Sequence, residues 1–146
     1  FAIETVLKTL KASSKDVFYD LGCGVGRNTF FANIVCGMKS VGIDLIPTFI
    51  HYARKVVQEC NLTNIHFIEG DVFKQNLKEA TIIYVTANCY DQECMQNLIQ
   101  CLEDVERGTR IVSSGKPIPS PSLHLQETKV LPFSWGMGKL YFHLKI

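Results

Sequence analysis

Short apolar runs alternate with amphipathic stretches along most of the chain. Runs of about five apolar residues between turn residues predict buried strands, and apolar positions that recur every three to four residues predict helices. The pattern predicts strands at 17–21, 40–44, 65–69, 81–86 and 109–113. It predicts helices at 1–11, 27–36, 47–60 and 92–105. Strands that alternate with helices imply a parallel sheet with helices packed on its faces.

The pattern changes after Gly115, where three prolines between 117 and 121 exclude a helix. Two more strands are predicted at 123–133 and 139–146, joined by a turn at 135–138. The fold class is therefore predicted to be α/β, a seven-stranded and mostly parallel sheet that is flanked by helices and ends in an antiparallel hairpin. The 146 residues are expected to form one domain. The start at Phe1 rather than Met leaves an N-terminal truncation open.

A glycine-rich loop follows the first strand with the spacing D-x-G-x-G-x-G. Glycine adopts positive φ without strain and lets a ligand approach the backbone closely. The helix that follows points its first N–H groups at the same place. The loop is therefore predicted to bind a nucleotide-like ligand through Asp20, Gly22, Cys23, Gly24 and Gly26. Its spacing differs from the G-x-G-x-x-G of dinucleotide-binding folds, and the carboxylate of Asp20 would repel a pyrophosphate.

Acidic residues also stand at the ends of the second and third strands. Asp44 is the last residue of the second strand and precedes Leu45, and Gly70-Asp71-Val72 follows the third strand. Ligands of open α/β sheets bind outside the carboxyl ends of the strands, where an acidic side chain can accept hydrogen bonds from ribose hydroxyls. We therefore expect Asp44 and Asp71 to lie beside the glycine loop. Dinucleotide-binding folds share the first of these acids but have no regular counterpart of the second.

Taken in order, the motifs at Asp20, Asp44 and Asp71 resemble those of the class I S-adenosylmethionine-dependent methyltransferases, whose fold is Rossmann-like. The resemblance implies S-adenosylmethionine as the cofactor, S-adenosylhomocysteine as the product, and no metal. It places Asp20 at the amino-acid end of the cofactor and Asp44, followed by Leu45, at the ribose. It places the Gly70-Asp71-Val72 segment at the adenine, where the carboxylate would accept the amino group and the valine would pack on the ring.

In this family the segment after the fourth strand, residues 85–91, lines the methyl-transfer site. Thr86 is assigned to the cofactor. Asn88 and Tyr90 are the catalytic candidates, because a carbonyl or a hydroxyl group can orient an acceptor nitrogen. Asn88 could equally cap the helix that begins near Asp91. Tyr90 is expected to be a pocket wall rather than a base, since the ordinary pKa of tyrosine is about 10.

Two regions are similar to a particular branch of the family. Residues 108–114 and the Trp-containing final hairpin resemble the non-SET histone-lysine methyltransferases. Lys116-Pro117-Ile118-Pro119 is similar to the small mitochondrial lysine methyltransferases that modify the ATP synthase c subunit and the adenine nucleotide carrier. The histone enzymes carry two consecutive asparagines where this chain has Thr86-Ala87. The branch implies methyl transfer to nitrogen, first of all to a protein lysine; a small-molecule methyltransferase and an inactive binding module are the alternatives.

Composition narrows the choice of partners. The net charge of +1 and the scattered Lys and Arg residues give no strong nucleic-acid signature. No apolar run is long enough to span a bilayer. The six cysteines contain no C-x-x-C pair and predict reduced thiols in a cytoplasmic, reducing compartment. Little sequence lies outside the predicted sheet to enclose a small substrate, and this favours a protein as the substrate. The sequence does not indicate an oligomeric state.

Overall fold

The computed structural model describes residues 2–146. Its helices are α1 (Ala2–Thr9), α2 (Arg27–Ile34), α3 (Pro47–Glu59) and α4 (Gln92–Glu103), and a 3-10 turn covers Val72–Lys74. Its strands are β1 (Val17–Leu21), β2 (Lys39–Asp44), β3 (Ile65–Glu69), β4 (Ile82–Thr86), β5 (Arg110–Ser114), β6 (Leu123–Phe133) and β7 (Gly136–Lys145). Phe1, which the sequence pattern placed in the first helix, lies outside the described residues.

Across residues 2–146 the strands form one seven-stranded sheet in the order β3-β2-β1-β4-β5-β7-β6. The pairs among β1 to β5 are parallel, whereas β7 runs antiparallel to both β5 and β6. The predicted fold class is therefore confirmed. The strand order reverses between β1 and β4, and this switch point opens a crevice at the carboxyl ends of these two strands.

The final hairpin differs from its prediction. Its turn is Ser134 and Trp135 alone, because β7 already begins at Gly136, opposite Phe133. Gly138 lies inside the strand instead of the turn. A Cβ at Gly138 would stand 2.5 Å from the Phe133 ring and 2.9 Å from the Trp135 ring. The two rings therefore pack over a residue that has no side chain. The sequence shows two turn-forming glycines, and only the pairing register shows that they belong to the strand.

Local signals place the other elements well. Pro47 is the first residue of α3, where its missing N–H costs nothing. Gly37 has a φ of +70° and follows the end of α2. Helices α2 and α4 each end two residues earlier than predicted, at Ile34 and Glu103. No helix within residues 2–146 combines the length and apolar character needed to cross a membrane.

The core has two layers, one on each face of the sheet. In β4, Ile83 and Val85 point to one face and Ile82 and Tyr84 to the other, so this strand is buried on both sides as its apolar sequence predicts. The first face is covered mainly by α4, through the fully buried Leu98 and Leu102. The second face is covered by α1 and α2, through Ile3, Val6, Leu7 and Ala32.

Phe67 of β3 packs beneath the glycine-rich loop. A Cβ on Gly26 would stand 2.5 Å from its ring, and a Cβ on Gly42 would stand 2.7 Å from it. The Gly42 position would also approach Thr29 Oγ1 to 2.8 Å. The two glycines therefore let the ring support the loop from below.

We expect Gly42→Ala to lower the free energy of unfolding by about 1–3 kcal/mol, because the added methyl group overpacks this contact. Gly70→Ala is the matched control. Neither glycine has a positive φ, and the nearest atom to a Cβ at Gly70 is the flexible Gln75 amide nitrogen at 3.1 Å. Urea denaturation of both variants measures the difference. A Gly42→Ala protein as stable as the control would contradict the packing described.

Candidate active site

The glycine-rich loop turns back over the end of β2. The backbone N–H groups of Gly22 and Cys23 both donate to the Ile43 carbonyl, at 2.9 and 3.0 Å. Gly22, Gly24 and Gly26 have φ values of +79°, +56° and +87°, which favour glycine. No atom lies within 4 Å of a Cβ built on Gly22 or Gly24. These two glycines therefore face open space, where a ligand can approach the backbone.

Asp20 lies directly beneath this loop. Its side chain is buried and accepts a hydrogen bond from Thr29 Oγ1 of α2 at 3.1 Å. Burial raises the pKa of Asp20 from its ordinary value of 3.8 to about 7, and the nearby Asp44 carboxylate also raises it. Asp20 therefore ties the glycine loop to the first helix that follows it.

Asp44 joins three segments at the end of β2. Its Oδ2 accepts the Gly24 N–H at 2.8 Å, and its Oδ1 accepts the Ile46 N–H at 2.9 Å. Its backbone carbonyl accepts the Gly70 N–H at 2.9 Å. A carboxylate has about four acceptor positions, so two remain for ligand hydroxyl groups. Leu45, next in the chain, is 66% exposed and offers an apolar surface beside this carboxylate.

The predicted adenine segment lies at the neighbouring strand end. Asp71 Oδ1 accepts the Phe73 N–H at 2.9 Å and so begins the 3-10 turn. Val72 is 8% exposed and belongs to the core under this turn, which leaves only a small part of it for a ligand. The bond between Gly70 and Asp44 brings the segment beside the ribose candidate. The structure therefore gathers the predicted cofactor motifs at one edge of the sheet.

Residues 85–91, which we call the acceptor segment, run from the end of β4 beside the end of β5. Thr86 is exposed at the carboxyl end of β4, and the Ala87 N–H donates to the Ser114 carbonyl at 3.0 Å. Asn88 is exposed, and its side chain lies over Gly115. The residue that caps α4 is Asp91, whose Oδ1 accepts the Cys94 N–H at 2.8 Å. The helix-cap alternative for Asn88 is therefore wrong.

Tyr90 is the part of the acceptor segment that faces the adenine segment, and it forms a wall there. Its ring meets Phe73 edge-on, with centroids 5.8 Å apart. Its carbonyl accepts a hydrogen bond from Lys116 Nζ at 2.6 Å. Burial, and then the acidic groups around it, raise the pKa of Tyr90 to about 12. A hydroxyl that holds its proton this firmly is unsuited to act as a general base near neutral pH.

The Cys23 thiol is structural. Burial raises its pKa, and the charges of Asp20 and Asp44 raise it further, so the thiol keeps its proton. Its sulfur lies 3.5 Å from the Gly24 carbonyl. All six cysteines are free thiols. Within residues 2–146, no three His, Cys, Asp or Glu side chains are grouped as metal ligands would be.

Sequence reasoning missed two residues at this edge. Gly115 receives the Asn88 side chain, and Lys116 reaches the Tyr90 carbonyl. Both follow β5, and both contact the segment that follows β4. The signal was a glycine and a basic residue after a parallel strand, but their contacts depend on the pairing of Thr86 with Ser114. That register is a long-range property that the local pattern does not contain.

The residues at this edge fit S-adenosylmethionine. The open backbone at Gly22 and Gly24 admits a ligand closely, and Asp44 can accept ribose hydroxyls. The Asp44 carboxylate places negative charge beside the loop, and Asp20 adds to it once it ionises above about pH 7, which suits a sulfonium ion and an ammonium group. The same charges would oppose the pyrophosphate of a dinucleotide.

The sheet order and this edge define the class: a class I S-adenosylmethionine-dependent methyltransferase fold with its motifs in place. The profile of the family described as Histone methylation protein DOT1 matches residues 2–130, and the chain belongs to that family. The family resemblance seen in the sequence is thus confirmed, including the resemblance to the non-SET lysine methyltransferase branch.

Individual relatives agree with this placement. A histone-lysine N-methyltransferase, H3 lysine-79 specific, from Cryptococcus neoformans is 28% identical over a 145-residue alignment that covers 88% of this chain and 22% of that protein. The chain thus spans about a fifth of that relative's length. A protein-lysine N-methyltransferase from Saccharolobus islandicus is 26% identical, covering 76% of this chain and 69% of that protein.

A solved structure agrees with the fold. An RNA methyltransferase from Salinibacter ruber, in complex with S-adenosyl-L-homocysteine, has a TM-score of 0.79 at 24% identity and covers 99% of this chain and 90% of its own. At that identity the likeness concerns the fold alone.

We expect the stability of the protein to depend on pH through Asp20. The folded protein keeps the proton on this carboxyl up to about pH 7, while the unfolded chain releases it near pH 3.8. Wild type should therefore lose stability as pH rises between these values and no further above them. Asp20→Asn should lack this loss, so its stability relative to wild type should rise by on the order of 4 kcal/mol across that range.

Urea denaturation at a series of pH values measures this difference, and Asp16→Asn is the control of opposite sign. Burial alone would raise the pKa of Asp16, but hydrogen bonds from Ser13 and Thr81 outweigh burial and hold this pKa below its ordinary value. Asp16→Asn should therefore cost most at neutral pH and least in acid. A pH-independent difference between Asp20→Asn and wild type would show that Asp20 is ionised in the folded protein.

Proposed function

We propose that this chain transfers the methyl group of S-adenosylmethionine to the side-chain nitrogen of a lysine in a protein. The observation that carries the proposal is the gathering of an open glycine loop, Asp44 and Asp71 at one sheet edge, in a chain of the Histone methylation protein DOT1 family. The names of its relatives, which specify histone lysine and protein lysine, support the choice of acceptor.

When bound, S-adenosylmethionine supplies an electrophilic methyl group whose bond to sulfur breaks, leaving the electron pair on sulfur, as the bond to nitrogen forms. Asp44 would hold the ribose end through its remaining acceptor positions. The side-chain oxygen of Asn88 accepts a hydrogen bond from an N–H of the lysine amine, and this bond aims the lone pair of the amine nitrogen. Tyr90 closes the side of the site.

The amine has to lose its proton before it can react. Tyr90 holds its own proton too firmly to help, and the first acidic residue after it, Asp91, is engaged as a helix cap. We infer that the proton leaves to water, aided by the sulfonium charge, which lowers the pKa of a nearby amine. The catalytic contribution of the chain is then positioning and partial desolvation.

The exposure of the acceptor segment favours a macromolecular substrate. Thr86 and Asn88 are both exposed at the carboxyl edge in the described part of the chain. An extended lysine side chain presented from a protein surface can reach such an open edge.

The cytoplasmic location that the unpaired cysteine pattern predicts stays a prediction.

Asp44→Ala should weaken the binding of S-adenosylmethionine and S-adenosylhomocysteine about 10- to 100-fold, because it removes charge-assisted hydrogen bonds to the ribose. Glu69→Ala is the matched control: Glu69 ends β3 in register with Asp44 but is exposed. Calorimetric titration measures both variants, with NAD as a third ligand that should not bind. Equal affinity in the two variants would contradict the assignment of Asp44.

Transfer is tested with methyl-tritiated S-adenosylmethionine and three acceptors: nucleosomes, an array of lysine-containing peptides, and free L-lysine. We expect label in a protein or a peptide, recovered as methyllysine after acid hydrolysis, and much less label with Asp44→Ala at a cofactor concentration near the wild-type Kd. Label in free lysine alone would support a small-molecule methyltransferase. Tight S-adenosylhomocysteine binding without transfer to any acceptor would support an inactive binding module.

A further inference from the structure

The side chain of Asn88 lies on a surface that only glycine can provide. A Cβ built on Gly115 would stand 1.7 Å from Asn88 Oδ1, 2.7 Å from its Cγ and 3.0 Å from its Cα. Contacts below 3.0 Å are essentially never made by real Cβ atoms, so any other residue at this position must move the carboxamide. Gly115 therefore decides where the Asn88 side chain can lie.

The backbone around Gly115 is fixed on both sides. Its N–H donates to the Lys139 carbonyl of β7 at 2.9 Å, and its φ of +89° turns the chain away from the sheet. The preceding residue, Ser114, accepts the Ala87 N–H at 3.0 Å. The following residue, Lys116, donates to the Tyr90 carbonyl at 2.6 Å. Contacts on both sides of Gly115 thus hold the acceptor segment against the end of β5.

We propose that Gly115 is a positioning residue: its bare Cα holds the Asn88 carboxamide in the orientation that aims the acceptor amine. The inference rests on the proposed function, because that function assigns Asn88 to the amine.

The test compares two glycines that have a similar φ and a similar hydrogen bond to β7, of which only Gly115 meets Asn88. Gly108 has a φ of +90° and donates its N–H to the Lys145 carbonyl of β7 at 2.9 Å, much as Gly115 donates to Lys139. No atom lies within 4 Å of a Cβ at Gly108. Gly108→Ala and Gly115→Ala therefore introduce similar backbone strain, but only Gly115→Ala displaces a side chain.

We expect Gly115→Ala to lower kcat on the order of 100-fold while leaving the Kd for S-adenosylhomocysteine unchanged, because an acceptor displaced by about 1 Å reacts far more slowly. Gly108→Ala should leave both constants near those of wild type. Gly115→Ala combined with Asn88→Ala should match Asn88→Ala alone, since Gly115 acts through that side chain. Equal kcat values for the two glycine variants, or losses that multiply in the double variant, would overturn the inference.

A second readout does not depend on activity. The side-chain amide resonances of Asn88 in ¹⁵N-labelled protein should move in Gly115→Ala and stay in place in Gly108→Ala. Unmoved Asn88 resonances in Gly115→Ala would overturn the contact itself. Absence of methyl transfer by wild type, with the Asn88 resonances moved by Gly115→Ala, would instead overturn the proposed function and leave the contact standing.

Discussion

The Asp44 carboxylate is the interaction on which the cofactor edge depends. The two carboxylate oxygens accept the N–H groups of Gly24 and Ile46, and the backbone carbonyl of the same residue accepts the N–H of Gly70. Hydrogen bonds to a charged group contribute about 1.5–3 kcal/mol each, more than neutral ones. One residue thus fixes the glycine loop, the entrance to α3 and the end of β3 relative to one another.

The strand order divides the edge into two halves with different tasks. The ends of β1, β2 and β3 carry the acidic motifs, and the ends of β4 and β5 carry the acceptor segment. In the first half, burial and then the charge of the nearby Asp44 raise the pKa of Asp20 to about 7. A ligand with positive charge would favour the ionised form of Asp20. The acceptor half carries the exposed amide of Asn88, whose position depends on a glycine.

Much of this could be predicted from the sequence because the signals are local. Pro47, the alternating glycines of the loop and the apolar sequence of β4 each specify their own surroundings. The acids Asp20, Asp44 and Asp71 end or follow parallel strands, so their meeting at one edge follows from the fold class. Their distinct roles in the protein do not. Asp20 is buried beneath the loop, whereas Asp44 braces it from the ligand side.

The features that escaped prediction depend on contacts between distant parts of the chain. The two-residue turn at Ser134 and Trp135 follows from the β6–β7 register, which also places Gly138 under the Phe133 ring. The Asn88 and Gly115 contact follows from the β4–β5 register in the same way. A glycine in a sequence indicates a turn, a close approach or a packing surface, and its neighbours in space decide which of these applies.

The central claim is that the ends of β1, β2 and β3 form one binding site for S-adenosylmethionine. Titration of ¹⁵N-labelled protein with S-adenosylhomocysteine, followed through the backbone amide resonances, tests it most directly. The account predicts saturable shifts concentrated at Gly22, Gly24, Leu45 and Val72, with little change along β6. An absence of saturable shifts, or shifts concentrated away from these strand ends, would contradict it.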